Sequence, residues 1–284
     1  MALPSRAAYT AAMDASDKGP ARDGVQQVTV RRWSDARWEE VEDSVAAEVP
    51  VALTYNSIPH VVMLTTPRDL ADLGLGFTVS EALVAHAGEV RDVVAVEDAG
   101  ALEVRISVEG SRLGAMLERR RNLTGRTGCG VCGAETVEDA IRRPAPVPAG
   151  GRASRVGLVA ALGALRDRQP LGSIAGSLHA AAWVSWDGEV SLVREDVGRH
   201  NALDKLIGAR LRAGLGFDDG YVLVTSRASY EMVQKTATLG IRMLVAVSAP
   251  TALGVELARE CGVTLVGFAR ESRQVVYSHP DRLT

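Results

Sequence analysis

From Ser154 onward, short apolar strands alternate with amphipathic helices, and this alternation constrains the fold more than any other feature of the chain. Val156–Arg166 has helical spacing. Ala181–Trp186 and Glu189–Arg194 flank Asp187-Gly188, a pair that favours a two-residue hairpin turn. Asn201–Leu211 places Leu203, Leu206, Ile207 and Leu211 on one helical face. Strand Tyr221–Thr225, helix Tyr230–Leu239, strand Met243–Val247, helix Thr251–Cys261 and strand Thr264–Phe268 follow. Thr251 stands where an N-cap belongs, and Gly262 where a C-terminal glycine belongs. Strands separated by helices pair in parallel through right-handed crossovers. Val222–Val224 and Leu244–Val247 are apolar throughout, as strands covered on both faces are. The expectation is an α/β unit over 154–284.

Residues 28–122 read as a smaller α+β domain. Strands are expected at Val28–Trp33, Val51–Tyr55 and His60–Leu64, with Asn56-Ser57 as a turn. Thr66-Pro67 signals the start of a helix carrying Leu70, Leu73, Phe77 and Leu83. Val93–Val96 and Leu102–Val108 alternate like strands. At Arg119 the character changes. The stretch RRRNLTGRTGCGVCGAET is basic, glycine-rich and weakly apolar, which predicts a loop. Pro144, Pro146, Pro148, Gly150 and Gly151 extend it as a linker, so 123–153 connects the two domains. Residues 1–27 read as a disordered tail.

Composition narrows the function classes. The chain has 284 residues, 46% hydrophobic and 24% charged, which suits one large or two smaller globular domains. A net charge of −3 argues against general binding of nucleic acid. No apolar run approaches the roughly 20 residues that cross a bilayer. Met1 to Gly24 lacks the pattern of a signal peptide, and Arg31-Arg32 is not followed by an apolar stretch, so a cytoplasmic location is expected. The three cysteines, Cys129, Cys132 and Cys261, are an odd count and do not suggest a disulfide framework.

Cys129-Gly130-Val131-Cys132-Gly133 therefore needs a chemical explanation. Two thiols at this spacing serve as metal ligands, a redox pair or a sulfur carrier. Structural zinc wants four ligands, and neither a second pair nor a close histidine is present, so no metal is expected. A thioredoxin-like pair opens a helix after a strand, whereas glycines flank both thiols here. Sulfur transfer suits the surroundings better. Arg119, Arg120, Arg121 and Arg126 favour the thiolate, and the glycines allow a loop to visit a donor and then an acceptor. Cys261 ends an apolar helix and reads as core.

Three further segments suggest an anion site. Asp196-Val197-Gly198-Arg199-His200-Asn201, Thr225-Ser226-Arg227-Ala228-Ser229 and Ser248-Ala249-Pro250-Thr251 each join a strand to a helix start. Such loops lie at strand carboxyl ends and offer N–H groups to phosphates. In Phe268-Ala269-Arg270-Glu271-Ser272-Arg273, the arginines suit phosphate and the phenylalanine suits stacking on a base. His179 and His200 are possible ligand contacts.

The strings VPVALTYNSIPHVVMLTTPRDLADLGLGFTVSEALV, RTGCGVCGAET, EDVGRHNALDKLIG, TSRASYEMVQK, SAPTAL and LVGFAR occur in this order along most of the chain. Together they resemble the FdhD family of sulfurtransferases needed for active formate dehydrogenase. The resemblance implies a three-layer, cytidine deaminase-like C-terminal domain beside the smaller N-terminal one. It implies persulfide transfer from a cysteine desulfurase to the bis-guanine-dinucleotide molybdenum cofactor, with Cys129 holding the persulfide and Cys132 assisting. It also implies cofactor contacts at Phe268, Ala269, Arg270, Glu271, Ser272 and Arg273, a formate dehydrogenase or related molybdoenzyme as client, and a homodimer. Zinc deamination is not expected, because His179 is followed by Ala180-Ala181 and no proline precedes Cys129. Two departures stand out: Ala175-Gly176-Ser177 before His179, and Val275 before Val276-Tyr277. The alternative function is a non-catalytic chaperone that binds and escorts the cofactor, which has no need of the CGVCG loop.

Overall fold

The computed structural model describes residues 24–98, 100–110, 114 and 143–284, and its strands form three sheets. Residues 1–23 of the expected tail and most of the loop around the cysteine pair lie outside the described residues, whereas Val25 to Gln27, also expected in the tail, belong to a strand.

β1 (Val25–Ser34) and β2 (Arg37–Ala46) form an antiparallel ribbon, with Trp33 opposite Trp38 near its tip. Sequence reasoning found β1 but not β2. In β2, Trp38, Val41 and Val45 do not alternate with polar residues, and the strand is held instead by cross-strand pairs such as Thr29 with Glu42.

β3 (Val49–Tyr55), β4 (Ile58–Thr65), β5 (Val90–Asp98) and β6 (Ala101–Val108) form a four-stranded sheet in the order β4-β3-β6-β5. The turn between β3 and β4 is the expected one. Asn56 and Ser57 take φ of 48° and 68°, the backbone that a tight hairpin turn requires. Helix α1 (Leu70–Ser80) covers one face of this sheet, and Leu73, Val51, Leu53, Val104 and Ile106 meet in its core. The helix starts later than Thr66-Pro67 predicts. Thr66 is held outside it: its N–H bonds the Asp196 carboxylate and its carbonyl accepts from Lys205.

The third sheet has six strands. They are β7 (His179–Ser185), β8 (Val190–Asp196), β9 (Gly220–Val224), β10 (Met243–Ala246), β11 (Thr264–Arg270) and β12 (Arg273–Ser278), in the order β12-β11-β10-β9-β7-β8. The parallel pairing expected from the alternation holds for β9, β10 and β11. β12 was not anticipated; it turns back antiparallel on β11. The Asp187-Gly188 hairpin is real but wider than two residues. The strands stop at Ser185 and resume at Val190, because the Trp186 N–H and indole turn away to the carbonyls of Asp219 and Asp218.

Helices cover both faces, as the all-apolar strands require. On one side α2 (Arg155–Asp167) packs Leu158, Ala161 and Leu165 onto Ala182, Leu223 and Val245. On the other, α4 (Arg199–Arg212), α5 (Tyr230–Thr238) and α6 (Ala252–Glu260) pack onto Trp183, Val222 and Leu244. The short α3 (Gly172–Ala175) lies between α2 and β7. Thr251 caps α6 by accepting from the Gly254 N–H, and Gly262 follows the helix at φ 75°, both as expected. Cys261 is buried in this core, with its thiol against the Pro144 carbonyl, and burial pushes its pKa up.

α1 and α4 join the two larger sheets. Their backbones touch at two glycines: a Cβ on Gly76 would lie 1.7 Å from the Asp204 carbonyl, and one on Gly208 would lie 1.9 Å from that of Asp72. Around this contact the charges are buried and paired. Lys205 Nζ lies 2.5 Å from Asp196 Oδ2, and Lys235 Nζ lies 2.9 Å from Asp204 Oδ2 and 2.8 Å from Glu81 Oε1. Asp72 takes Arg194 and Arg212 at 2.8 and 2.7 Å. Burial lowers the Lys205 pKa. At Lys235 burial pulls the same way, but Asp204 and Glu81 outweigh it and raise the pKa.

Candidate functional site

β8, β9, β10 and β11 all run in one direction, since β7 is antiparallel to both β8 and β9. The loops after β8, β9 and β10 therefore share one rim, as the sequence suggested. Much of their backbone is already committed. The Val197 N–H donates to Thr66 Oγ1, and the Gly198 N–H to Asp196 Oδ1. The Thr225 N–H donates to the Ala180 carbonyl, Ala228 to Ala249, and Thr251 to Ala228. These amides knit the loops together and are not free to meet an anion.

A cleft of about 540 Å³ opens where the rim meets the end of α2. Leu162, Leu165, Val247 and Ala269 give it an apolar wall, and Arg166, Gln169, Thr225, Arg270, Glu271 and Ser272 supply polar groups. Apolar surface with a few convergent polar groups is the usual make-up of a small-molecule site. Ala269 to Ser272 belong to the segment singled out in the sequence. They form the β11–β12 corner, where Arg270 and Arg273 are opposite partners. Arg270 Nη1 donates to the Val247 carbonyl at 2.5 Å, which holds the guanidinium against the end of β10. Arg166 and Glu271 pair at 2.7 Å, but both are exposed, so the pair is weak and easily exchanged.

Phe268 and Arg273 do not join that lining. Phe268 takes φ 50° in a bulge of β11, which turns its ring outward, and the Arg273 guanidinium sits 5.4 Å from the ring centre. A bulky residue in left-handed backbone is strained. Its N–H still bonds the Ser248 carbonyl, so the bulge is anchored to the loop after β10.

Sequence reasoning missed the α2 wall. Leu162, Leu165 and Arg166 carry no motif, and only folding brings them to the β11–β12 corner. Cys129 and Cys132 lie outside the described residues. From Arg143 the chain runs past the opposite end of the sheet, where the Val147 N–H bonds the Cys261 carbonyl. His179 and His200 stand on the rim near the end of β8. His200 Nε2 lies 2.8 Å from Glu231 Oε2. The His179 pKa is lowered by burial and then by Arg199, with smaller contributions from His200 and Arg227. Among the described residues, no group of three or more His, Cys, Asp or Glu side chains is placed to hold a metal ion. No helix among them is long and apolar enough to cross a membrane.

Comparison with known proteins agrees with this architecture. A crystal structure of what is called a formate dehydrogenase accessory protein, from Desulfotalea psychrophila, superposes with a TM-score of 0.74. It covers 92% of this chain and 100% of that one at 23% identity, and so shows a shared fold. The Xanthomonas euvesicatoria pv. vesicatoria protein named sulfur carrier protein FdhD is 52% identical over 258 residues, 90% of this chain and 91% of the relative. Its namesake from Cupriavidus necator is 50% identical over 254 residues, 89% of this chain and 88% of the relative. The FdhD/NarQ family model matches residues 46–284, and the chain belongs to that family.

Proposed function

We propose that this protein is a sulfurtransferase that carries persulfide sulfur from a cysteine desulfurase to the bis-guanine-dinucleotide molybdenum cofactor. The observation that carries the reading is the Cys129-Gly130-Val131-Cys132 pair in a chain whose relatives at about half identity are named sulfur carriers. The client is a formate dehydrogenase or a related molybdoenzyme. The working form is a cytoplasmic homodimer, and the six-stranded sheet with helices on both faces is of the cytidine deaminase type.

The chemistry starts at Cys129. Its thiolate attacks the terminal sulfur of the donor's persulfide, forming a persulfide on Cys129 and releasing the donor's thiolate. Attack by the Cys132 thiolate on the inner sulfur would expel hydrosulfide and leave a Cys129–Cys132 disulfide, which a thiol must reduce before another cycle. The cofactor is a bound substrate. Its guanine nucleotide lies along Phe268–Arg273, with phosphate oxygens near Arg270 and Arg273 and the base against Phe268. Fully extended, the chain between Cys132 and Pro144 spans up to about 40 Å. A strand of five to seven residues spans only about 17–23 Å. Contour length alone therefore does not bar Cys132 from the rim.

Loading is tested by incubating the protein with a cysteine desulfurase and cysteine and measuring its intact mass. The parent should gain sulfur and Cys129→Ala should not. A parent that gains none would favour the non-catalytic chaperone. If Cys129→Ala loads fully and Cys132→Ala does not, the two roles are exchanged.

A further inference from the structure

We propose that His179, Arg199 and Arg227, with the Ser229 hydroxyl, form a second anion subsite that takes a phosphate or pyrophosphate group. It lies on the α4–α5 side of the rim, across the sheet from the α2 cleft. This deepens the proposed cofactor site by giving it another phosphate position, and so rests on that reading for its biological ligand.

Placement brings the groups together. His179 opens β7 directly opposite Asp196, the last residue of β8. Arg199 begins α4, and Ser229 immediately precedes α5. Arg227 lies in the loop between β9 and α5, which Thr225 ties to β7 through Ala180. Burial and then Arg199 lower the His179 pKa, Asp196 opposes them, and His200 and Arg227 add smaller lowering effects, so both arginines act at His179.

The carboxylates nearby are shared with other groups. Asp196 is occupied by Lys205, Asn201 and Thr65 inside the fold. Glu231 Oε2 lies 2.8 Å from His200 Nε2 and 4.0 Å from Arg199 Nη2, so a single carboxylate faces both side chains. Arg227 has no carboxylate partner among the described residues. Of the four buried polar side-chain atoms without a hydrogen-bond partner among the described residues, three lie here: Arg199 Nε, His200 Nε2 and Ser229 Oγ; the fourth is the Tyr221 hydroxyl. Buried donors left unmet cost stability, and a native fold keeps few of them. One from a guanidinium and one from a hydroxyl, beside an unpaired arginine, match the acceptor oxygens of a phosphate. His179, at the start of β7 opposite Asp196, adds a ring nitrogen beside these groups.

The test is calorimetric titration of the full chain with inorganic pyrophosphate, with NMR of the histidine rings as the locator. The parent should bind saturably and its His179 ring signals should move. Arg199→Gln and Arg227→Gln should each weaken binding about tenfold, the effect of one lost charge-assisted contact. Arg270→Ala, in the other cleft, should bind pyrophosphate like the parent. Arg227 is exposed, so its substitution leaves the fold intact even if Arg199→Gln destabilises it. Competition by GDP would assign the subsite to the nucleotide's own phosphates, and independent binding would assign it to a separate phosphate; either supports the subsite. A parent that does not bind, a His179 ring unmoved at saturation, or an Arg227→Gln protein that binds like the parent would each overturn it. The two deciding readouts, pyrophosphate binding by the Arg227→Gln protein and the His179 ring shift, use neither persulfide loading nor GDP binding at Arg270. Failure there would sink the proposed function and leave this subsite standing, and the reverse also holds.

Discussion

Helix α4 serves two regions that treat charge in opposite ways. Its middle, facing α1, buries Asp204 and Lys205 and completes every pair: Lys205 with Asp196, and Asp204 with Lys235 and Ser80. Its first turn, on the rim, carries Arg199 with a buried nitrogen unmet and His200 sharing one carboxylate with it. Both regions are rich in ionisable side chains, so composition cannot separate them. Partner accounting can. A buried charge that is fully paired belongs to the fold, because removing one member strands the other. A cation whose carboxylate lies 4.0 Å away, with one buried nitrogen unmet, makes sense where a ligand adds an acceptor.

Four substitutions or conditions put pressure on that contrast. The largest effect belongs to the seam. Asp196→Ala strands Lys205 inside the protein and should cost about 3–5 kcal/mol in urea unfolding. A loss below about 1 kcal/mol would mean that water already reaches this pair. Next is Gly208→Ala, whose Cβ would meet the Asp72 carbonyl at 1.9 Å. Backbone cannot yield as a side chain does, so about 1–3 kcal/mol should be lost. If thermal unfolding were unchanged, α1 and α4 would not be in backbone contact.

The rim should respond in the opposite sense. Arg270→Ala should leave stability within about 0.5 kcal/mol, as exposed substitutions do, yet weaken GDP binding about tenfold. If Arg270→Ala and Arg273→Ala both bind GDP like the parent, the nucleotide site is elsewhere. The smallest effect comes from His179. Its folded pKa is lowered from 6.5, so as pH falls through that value the unfolded chain takes up the proton first. Its contribution to stability is therefore intact above pH 6.5 and declines as pH falls toward the folded pKa. Urea curves at pH 7.5 and pH 5.5 should show a slightly smaller acid loss in His179→Gln than in the parent. A larger acid loss in the variant would reverse the sign.

Much of the architecture was legible in the chain. The apolar strands Val222–Val224 and Leu244–Val247 could only be covered on both faces, and α2 on one side with α4 to α6 on the other cover them. The Asn56-Ser57 turn and the Thr251 cap were readable because each depends on local backbone chemistry alone. β2 was not readable, since its stability comes from pairing with β1 rather than from alternation. β12 was hidden because its residues are only partly buried and its partner strand was read as ending at Phe268.

The site divides along the same line. Sequence by itself determined the chemistry available: two thiols among glycines and arginines, and an arginine-rich segment from Phe268 to Arg273. These follow from residue type and short spacing. It also marked the three strand-to-helix loops, and parallel strands did place them on one rim. Tertiary structure alone decided how those loops spend their amides, because Thr66 and Ala180 arrive from distant segments to take part in their bonding. It decided that α2 walls the cleft and that Phe268 turns out of it. It also decided which charges are satisfied. Lys205 and Arg199 stand six positions apart on one helix, and only their distance from a carboxylate makes the first part of the fold and leaves the second open to a ligand.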